Sequence, residues 1–481
     1  MTSSKKGFDC EHKNTCPEVD RLKGELAYVR FELEGLKRRL YKKHLKDNPP
    51  KMPGAPQVTP KKKGALLGHI GWFRPRPKDI TRIEEVRLNT CPECGSTHIT
   101  ECKEVEEHIQ EDITLPKVEV TLYRRHHYYC KHCKCVVSAK GKEELHRSRI
   151  GPKARSFGIF LNHVVKVSKR DVAGIFQKAF NLSLTAPSLT GFKDRLKDEA
   201  LPIYKSLVDK LKYSRLLHID ETGWPMDGKN YWLWKFCNKT ICVSHIDKSR
   251  GQKVVESMIG KNYNGILVSD FLSAYNKIET RAKQRCLVHL LRDLKKVLAY
   301  FQDDPEVLRY SRRLKKILEN AILLYKEYMD KEWDEKYYSK RARINDTLKD
   351  FNFPNPNKRI LKRFAKRLKR HKGEILTFLY EKGVDYHNNH AEQQIRPDVI
   401  FRKVTFGSRS LKGAENHSVL ATILQTAKLN NLDPIKTLED ILLNKNKDPF
   451  EKILSPPDNA TPFINSILVN RNEEALLPVM C

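Results

Sequence analysis

LLHID, residues 216–220, and GILVSD, residues 265–270, are two short apolar runs that each end in an aspartate. Apolar runs of this length bounded by turn formers read as strands buried on both faces, the kind found in parallel or mixed sheets. In open α/β sheets ligands are met at the carboxyl ends of strands, so Asp220 and Asp270 are expected side by side there. Two carboxylates that close repel, and a hard cation with oxygen ligands, Mg²⁺ or Mn²⁺, relieves the repulsion. Either aspartate alone could be a turn former or a helix cap. Two on apolar strands make the metal reading the stronger one.

Outward from these runs, YWLWKF (231–236) and ICVSHI (241–246) supply further strands between Gly, Asn and Asp punctuation. A third acid sits in NNHAEQQIRP, residues 388–397, where Asn389, Glu392 and Arg396 fall at i, i+3 and i+7 on one helix face. Glu392 either projects from that face as a functional carboxylate or makes a solvated ion pair with Arg396. The basic, Gly- and Ser-punctuated loop that follows, with Arg402 and Lys403 at its start, suits phosphate contacts. Between about 277 and 385 the pattern is helical and heavily charged. There, residues 358–372 hold nine Lys or Arg and no acid. Ile360, Leu361, Phe364, Ala365 and Leu368 gather on one face, leaving Lys362, Arg363, Lys366, Arg367, Lys369 and Arg370 outward, along DNA or simply in solvent.

Toward the N-terminus, Ser168 caps a run with Val172, Ile175, Phe176 and Phe180 at helical spacing, and Thr185 opens a second helix after the turn at Asn181. The pair reads equally as a DNA-binding helix-turn-helix or as a helical hairpin bridging two domains. Cys91-Pro-Glu-Cys94 and Cys130-Lys-His-Cys133 are two C-x-x-C pairs, each able to aim two thiolates at one tetrahedral Zn²⁺. The alternating VEVTLYRRHHYY (118–129) between them can return the second pair to the first. His98, Cys102, His132 and Cys135 lie close enough to replace a ligand. PPKMPGAPQVTPKKK (49–63) reads as an extended basic linker. Before it, Leu22, Leu26, Val29, Leu33, Leu36 and Leu40 make an a/d seam, which serves either self-association or packing on the chain's own body.

Composition sets the partner. Ninety-one Lys plus Arg against 59 Asp plus Glu give a formal charge of +32 over 481 residues, which excludes an ordinary metabolic enzyme and points to nucleic acid. No run approaches the roughly 20 apolar residues of a bilayer span, and the first residues lack the apolar stretch of a signal peptide. The expectation is a cytoplasmic, nucleoid-associated protein with no membrane partner, whose cysteines are metal ligands or core thiols.

HIDETGW, GILVSDFLSAYN, CLVH and the long block from Asn388 to Pro434 resemble, in order and spacing, the catalytic blocks of the IS66 family of transposases. The C-x-x-C pairs, GHIGWFRPRP (68–77) and the N-terminal seam are also similar to that family. The resemblance implies an RNase H-like fold split by a helical insertion, with the DDE triad falling on Asp220, Asp270 and Glu392, and with DNA cleavage and strand transfer at transposon ends and target DNA. Cys286-Leu-Val-His289 resembles the C-x-x-H element of many DDE transposases, which makes His289, with Asn389 and Arg396, an active-site neighbour or a core histidine. The expected architecture is multidomain α+β. It comprises a coiled-coil helix and linker (1–63), a zinc ribbon (64–150), a helix-turn-helix-like segment (151–205), a DDE domain (206–445, insertion about 277–385) and a tail (446–481). The expected assembly is a homo-oligomer, with or without accessory transposition proteins. Competing readings are a domesticated, inactive zinc-ribbon DNA-binding protein, an RNase H-like nuclease without strand transfer, and an RNA-binding scaffold, the last disfavoured for want of a stacking-aromatic motif.

Overall fold

The computed structural model describes residues 17–40, isolated positions between 80 and 97, 118–132, 134–139, 141–145, 148–351, 358–444 and 448–451. The chain divides into two compact units, residues 45–116 and all the rest. Cys91, Cys94 and Cys133 of the zinc motif lie outside the described residues, as does GHIGWFRPRP. Cys130 ends β1 (His127–Cys130), which pairs antiparallel with β2 (Cys135–Ser138).

A five-stranded sheet carries the larger unit, in the order β5-β4-β3-β6-β7. It consists of β3 (Leu216–Met226), β4 (Lys229–Cys237), β5 (Cys242–Asp247), β6 (Asn262–Ser269) and β7 (Glu279–Arg285). β3, β4 and β5 form an antiparallel meander, while β6 and β7 run parallel to β3. The β3–β4 turn is Asp227-Gly228, both at positive φ, a two-residue hairpin that Asp-Gly favours because it tolerates that geometry. β7 occupies 279–285, a polar stretch read from the sequence as helical insertion. Gln284 and Arg285 are nonetheless fully buried there because the segments that follow cover their edge of the sheet.

Alternation along the strands assigns the two faces. Leu217 and Ile219 of β3, Leu267 of β6, and Trp234 and Phe236 of β4 enter one core. That core is completed by α2 (Pro152–His163), α3 (Lys169–Phe180), α4 (Ala186–Leu211), α5 (Gln252–Ile259), α11 (Leu411–Leu429) and α12 (Pro434–Leu442). Ser168 caps α3 through Asp171 N–H, and Thr185 caps α4 through Ser188 N–H. The inward stripe of α4 runs from Leu189 to Leu211, so this helix is docked along its length.

Ile266 and Val268 of β6 enter the opposite core with the insertion. The insertion consists of α6 (Leu287–Tyr300), α7 (Pro305–Glu327), α8 (Glu335–Lys349) and α9 (Arg359–Arg370). α1 (Pro17–Leu40) also joins this core. Tyr28 is buried there, and Phe31 packs edge-on against Tyr300 at 5.3 Å. The a/d seam faces away, with Leu22, Leu26, Val29 and Leu33 about half exposed; the side chains of Leu36 and Leu40 lie outside the described ones. α10 (Asn389–Thr405) closes the same side of the sheet, packing Ile395 and Phe401 on Trp224 and Leu233. Among the described residues no helix is long and apolar enough to cross a membrane.

Candidate catalytic site

β3 and β6 pair in parallel with Leu216 opposite Ile266 and His218 opposite Val268. Two residues further along stand Asp220, within β3, and Asp270, just past the end of β6. The pairing ends at His218 and Val268; continued two residues it brings the two aspartates level, and alternation along β3 turns Asp220 toward the face of α10. Asp270 directly follows the last residue of β6, but Asp220 does not end its strand as the sequence suggested, because pairing with β4 carries β3 on to Met226. Glu221, one residue on, points to the opposite face beside Trp234. There its carboxylate accepts from the Tyr275 hydroxyl and from Arg250, whose Nη2 lies 2.7 Å away.

Glu392 comes to the aspartates on the first turn of α10. Asn388, the residue before that helix, pins it. Its Nδ2 donates to the Ile219 carbonyl at 2.8 Å, its Oδ1 lies 3.2 Å from His218 Nδ1, and its backbone N–H reaches Cys286 Sγ at 3.3 Å. An N-cap side chain ordinarily serves its own helix; that of Asn388 instead fastens the helix to β3 just before Asp220. Helical spacing from Glu392 singled out Asn389, and reading the helix start one residue earlier would have found Asn388.

Arg285 was likewise missed. It ends β7 fully buried, donating to the Asp270 carbonyl at 2.8 Å, Ser269 Oγ at 3.2 Å, Asn276 Oδ1 at 3.0 Å and Glu374 Oε2 at 2.6 Å. A planar guanidinium with five donors locks the backbone around Asp270 in a way no sequence pattern announces. Glu374 is held down to about 2: burial opposes its charge, but the hydrogen bond with His371 and the charge of Arg285 prevail.

The acids repel one another. Burial, then the charges of Glu221, Asp270 and Glu392, push the Asp220 carboxyl up to about 8. Glu221 is raised by burial and by Asp270, against the bonds from Tyr275 and Arg250. Asp270 Oδ1 accepts from Leu272 N–H at 2.8 Å. Oxygen-only donors that raise one another's charge cost are the type a hard divalent cation takes, and its charge would offset the repulsion.

His289 Nδ1 lies 3.9 Å from Glu392 Oε1, while Arg396 is exposed. Arg402 donates to Thr222 Oγ1 at 3.2 Å, two residues past Asp220, and Lys403 is exposed. On α9, Ile360, Leu361 and Phe364 are buried as their spacing foretells. Three of its cations are engaged within the chain: Arg359 over the Tyr28 ring, Arg363 with Glu32 of α1, and Arg367 with Asp293 at 3.0 Å. Lys362, Lys366, Lys369 and Arg370 face outward.

The family model described as "Transposase IS66 family" matches residues 147–416, more than half the chain and every carboxylate of the site. The chain belongs to the IS66 transposase family. An uncharacterised protein, y4hP, of Sinorhizobium fredii is 22% identical over 422 residues, covering 79% of this chain and 75% of that protein. Membership makes this IS66 transposase a DNA-processing protein of a kind that uses divalent metal, in keeping with its +32 charge.

Proposed function

We propose that this transposase cuts and joins DNA at Asp220, Asp270 and Glu392. The observation that carries the reading is the parallel β3–β6 register up to His218 and Val268, two residues before Asp220 and Asp270, with the helix bearing Glu392 fastened to β3. The sheet order, a three-stranded meander extended by two parallel strands, supports an RNase H-like fold. Bound at the three carboxylates, Mg²⁺ or Mn²⁺ would supply a deprotonated oxygen nucleophile, water at first and the freed 3′-hydroxyl next, and stabilise the leaving oxygen. The chain's own residues prepare the place. Asn388 and Arg285 fix the backbones beside Asp220 and Asp270, and Asp220 keeps its proton near neutrality until a cation displaces it. Arg402, Lys403 and the outward cations of α9 would neutralise phosphates of transposon ends and target DNA without reading bases. Cys91, Cys94, Cys130 and Cys133 would form a structural Zn²⁺ site, and the outward seam of α1 would pair copies into a homo-oligomer.

Asp270→Asn keeps shape and removes charge, so DNA cleavage in Mg²⁺ should fall by roughly 10³-fold or more while binding to transposon ends stays nearly intact. Normal turnover by this variant would overturn the assignment. A strand-transfer assay on the wild type separates a transposase from a nuclease that cuts without joining.

A further inference from the structure

Cys286 caps α6 and His289 stands in its first turn, so the spacing of three puts thiol and imidazole on one side of the helix start. The beginning of α10 is tied to the same point: Leu287 N–H donates to the Tyr386 carbonyl at 2.9 Å, and Asn388 N–H to Cys286 Sγ. The two helix starts therefore bring Glu392 against the pair. A sulfur, an imidazole nitrogen and a carboxylate oxygen all lie within 4.8 Å of one another.

Two of these atoms are unsatisfied. His289 Nδ1 and Glu392 Oε1 are each shielded from solvent without a hydrogen-bond partner, and their 3.9 Å separation is too long for a bond between them. A buried polar atom left unpaired is costly, and here two such atoms face one another beside a thiol. Ligands of one tetrahedral ion with bonds of about 2.0–2.3 Å stand roughly 3.3–3.8 Å apart, so a small contraction would close the set. The chemistry differs from that of the neighbouring aspartates. An oxygen-only site suits Mg²⁺, whereas thiolate with imidazole selects a softer ion.

We infer that Cys286, His289 and Glu392 form a second metal site, for an ion of the Zn²⁺ class, that draws on the same glutamate as the Mg²⁺ site. Binding breaks the Cys286 S–H bond, releases that proton to solvent and leaves the thiolate on the ion. Three protein ligands leave one position open, to water. Because Glu392 cannot serve both ions fully, zinc held here competes with magnesium for the third carboxylate. This consequence, but not the site itself, rests on the reading of Glu392 as a triad member.

The test is zinc stoichiometry on the full-length chain, measured against a chromophoric chelator, for wild type, Cys286→Ser, His289→Gln and Cys130→Ser. His289 is about one-third exposed, so His289→Gln retains the fold, which circular dichroism checks. Cys286→Ser and His289→Gln should each lose one zinc per chain or bind it at least tenfold more weakly, additively with any loss in Cys130→Ser. Co²⁺ loading should show a sulfur-to-cobalt band that persists in Cys130→Ser and disappears when Cys286→Ser is combined with it. Zinc content and affinity equal to wild type in folded His289→Gln would overturn the site. Zinc titrated into Mg²⁺-supported cleavage should inhibit wild type at concentrations at least tenfold below those that inhibit His289→Gln relative to its own rate. Equal sensitivity would overturn the sharing of Glu392. A protein that binds zinc as expected but cleaves no DNA would refute the catalytic reading and leave the metal site standing.

Discussion

Asp220 and Lys235 face each other across β3 and β4, yet they belong to buried charge clusters of opposite character. Lys235 turns to Asp398 of α10, 2.6 Å away, and to Ser244 Oγ and Gln425 Oε1 at 2.5 and 2.6 Å. Asp398 in turn accepts from Gln425 at 3.0 Å and stands 3.0 Å from His417 Nε2. Burial opposes both charges, but each partner keeps the other ionised: Lys235 is raised, and Asp398 is held well below the usual carboxylate range. Across the ladder, burial and then the charges of Glu221, on the other face of the sheet, and of Asp270 and Glu392 push Asp220 up to about 8. The balanced cluster pairs its opposite charges internally and serves the fold. The unbalanced one stores repulsion that a bound cation would release, the feature on which the proposed site rests.

The largest expected effect tests the balanced side. Asp398→Asn strands the fully buried Lys235 ammonium without a counter-charge and should cost about 3–5 kcal/mol. Denaturant titration would read it, and a loss below about 1 kcal/mol would mean that Lys235 finds water or another acid. An intermediate effect, opposite in sign, is expected at Asp220. The folded protein holds this proton to about pH 8 while the unfolded chain releases it near 4, so the folded state binds more protons in that window. Stability without Mg²⁺ or Mn²⁺ should therefore decline as pH rises from about 4 to 8. Asp220→Asn, which cannot ionise, should be more stable than wild type at pH 8 by about 1–3 kcal/mol, with the gain shrinking toward pH 5. Thermal melts at both pH values check this, and a variant no more stable than wild type at pH 8 would remove the stored repulsion. The smallest effect belongs to Tyr275→Phe, which takes one donor from Glu221 and should cost about 1–2 kcal/mol. Because the lost bond served the charged carboxylate, the cost should grow between pH 5 and 8. Equal losses at both would show that the hydroxyl does not favour the charged carboxylate.

The contrast also explains what could be read without a structure. The continuation of β3 past Asp220 to Met226 does not declare itself, because it depends on pairing with β4, whereas the apolar runs that lead into Asp220 and Asp270 do, because hydrophobic patterning is local. Ser168, Thr185 and the buried face of α9 are legible for the same reason: caps and helical periodicity lie within a few residues. Lys235, Asp398, Arg285 and Asn388 are not, since their partners stand from 9 to 190 residues away in the chain. A buried Arg285 at the end of ETRAKQR looks like solvated surface until Glu374 and the Asp270 carbonyl are seen around it. The same blindness made β7 look helical, because its charge content belongs to tertiary pairs. Arg363 and Arg367 were grouped with the free cations of α9 for want of any local sign of Glu32 and Asp293.

Tyr28 and Phe31 seat α1 on the insertion, with Arg359 lying over the Tyr28 ring at 4.5 Å, while the leucine seam looks outward. A helix gripped on its inner side by the body that carries the site is a bracket, not a tether. Were two copies to zip their seams about a two-fold axis, the insertions would be related by that axis, and α6 runs from there straight to Cys286. The gap between two cutting centres would then be a fixed length set by packed helices, a caliper that only DNA ends held at one matching separation could satisfy.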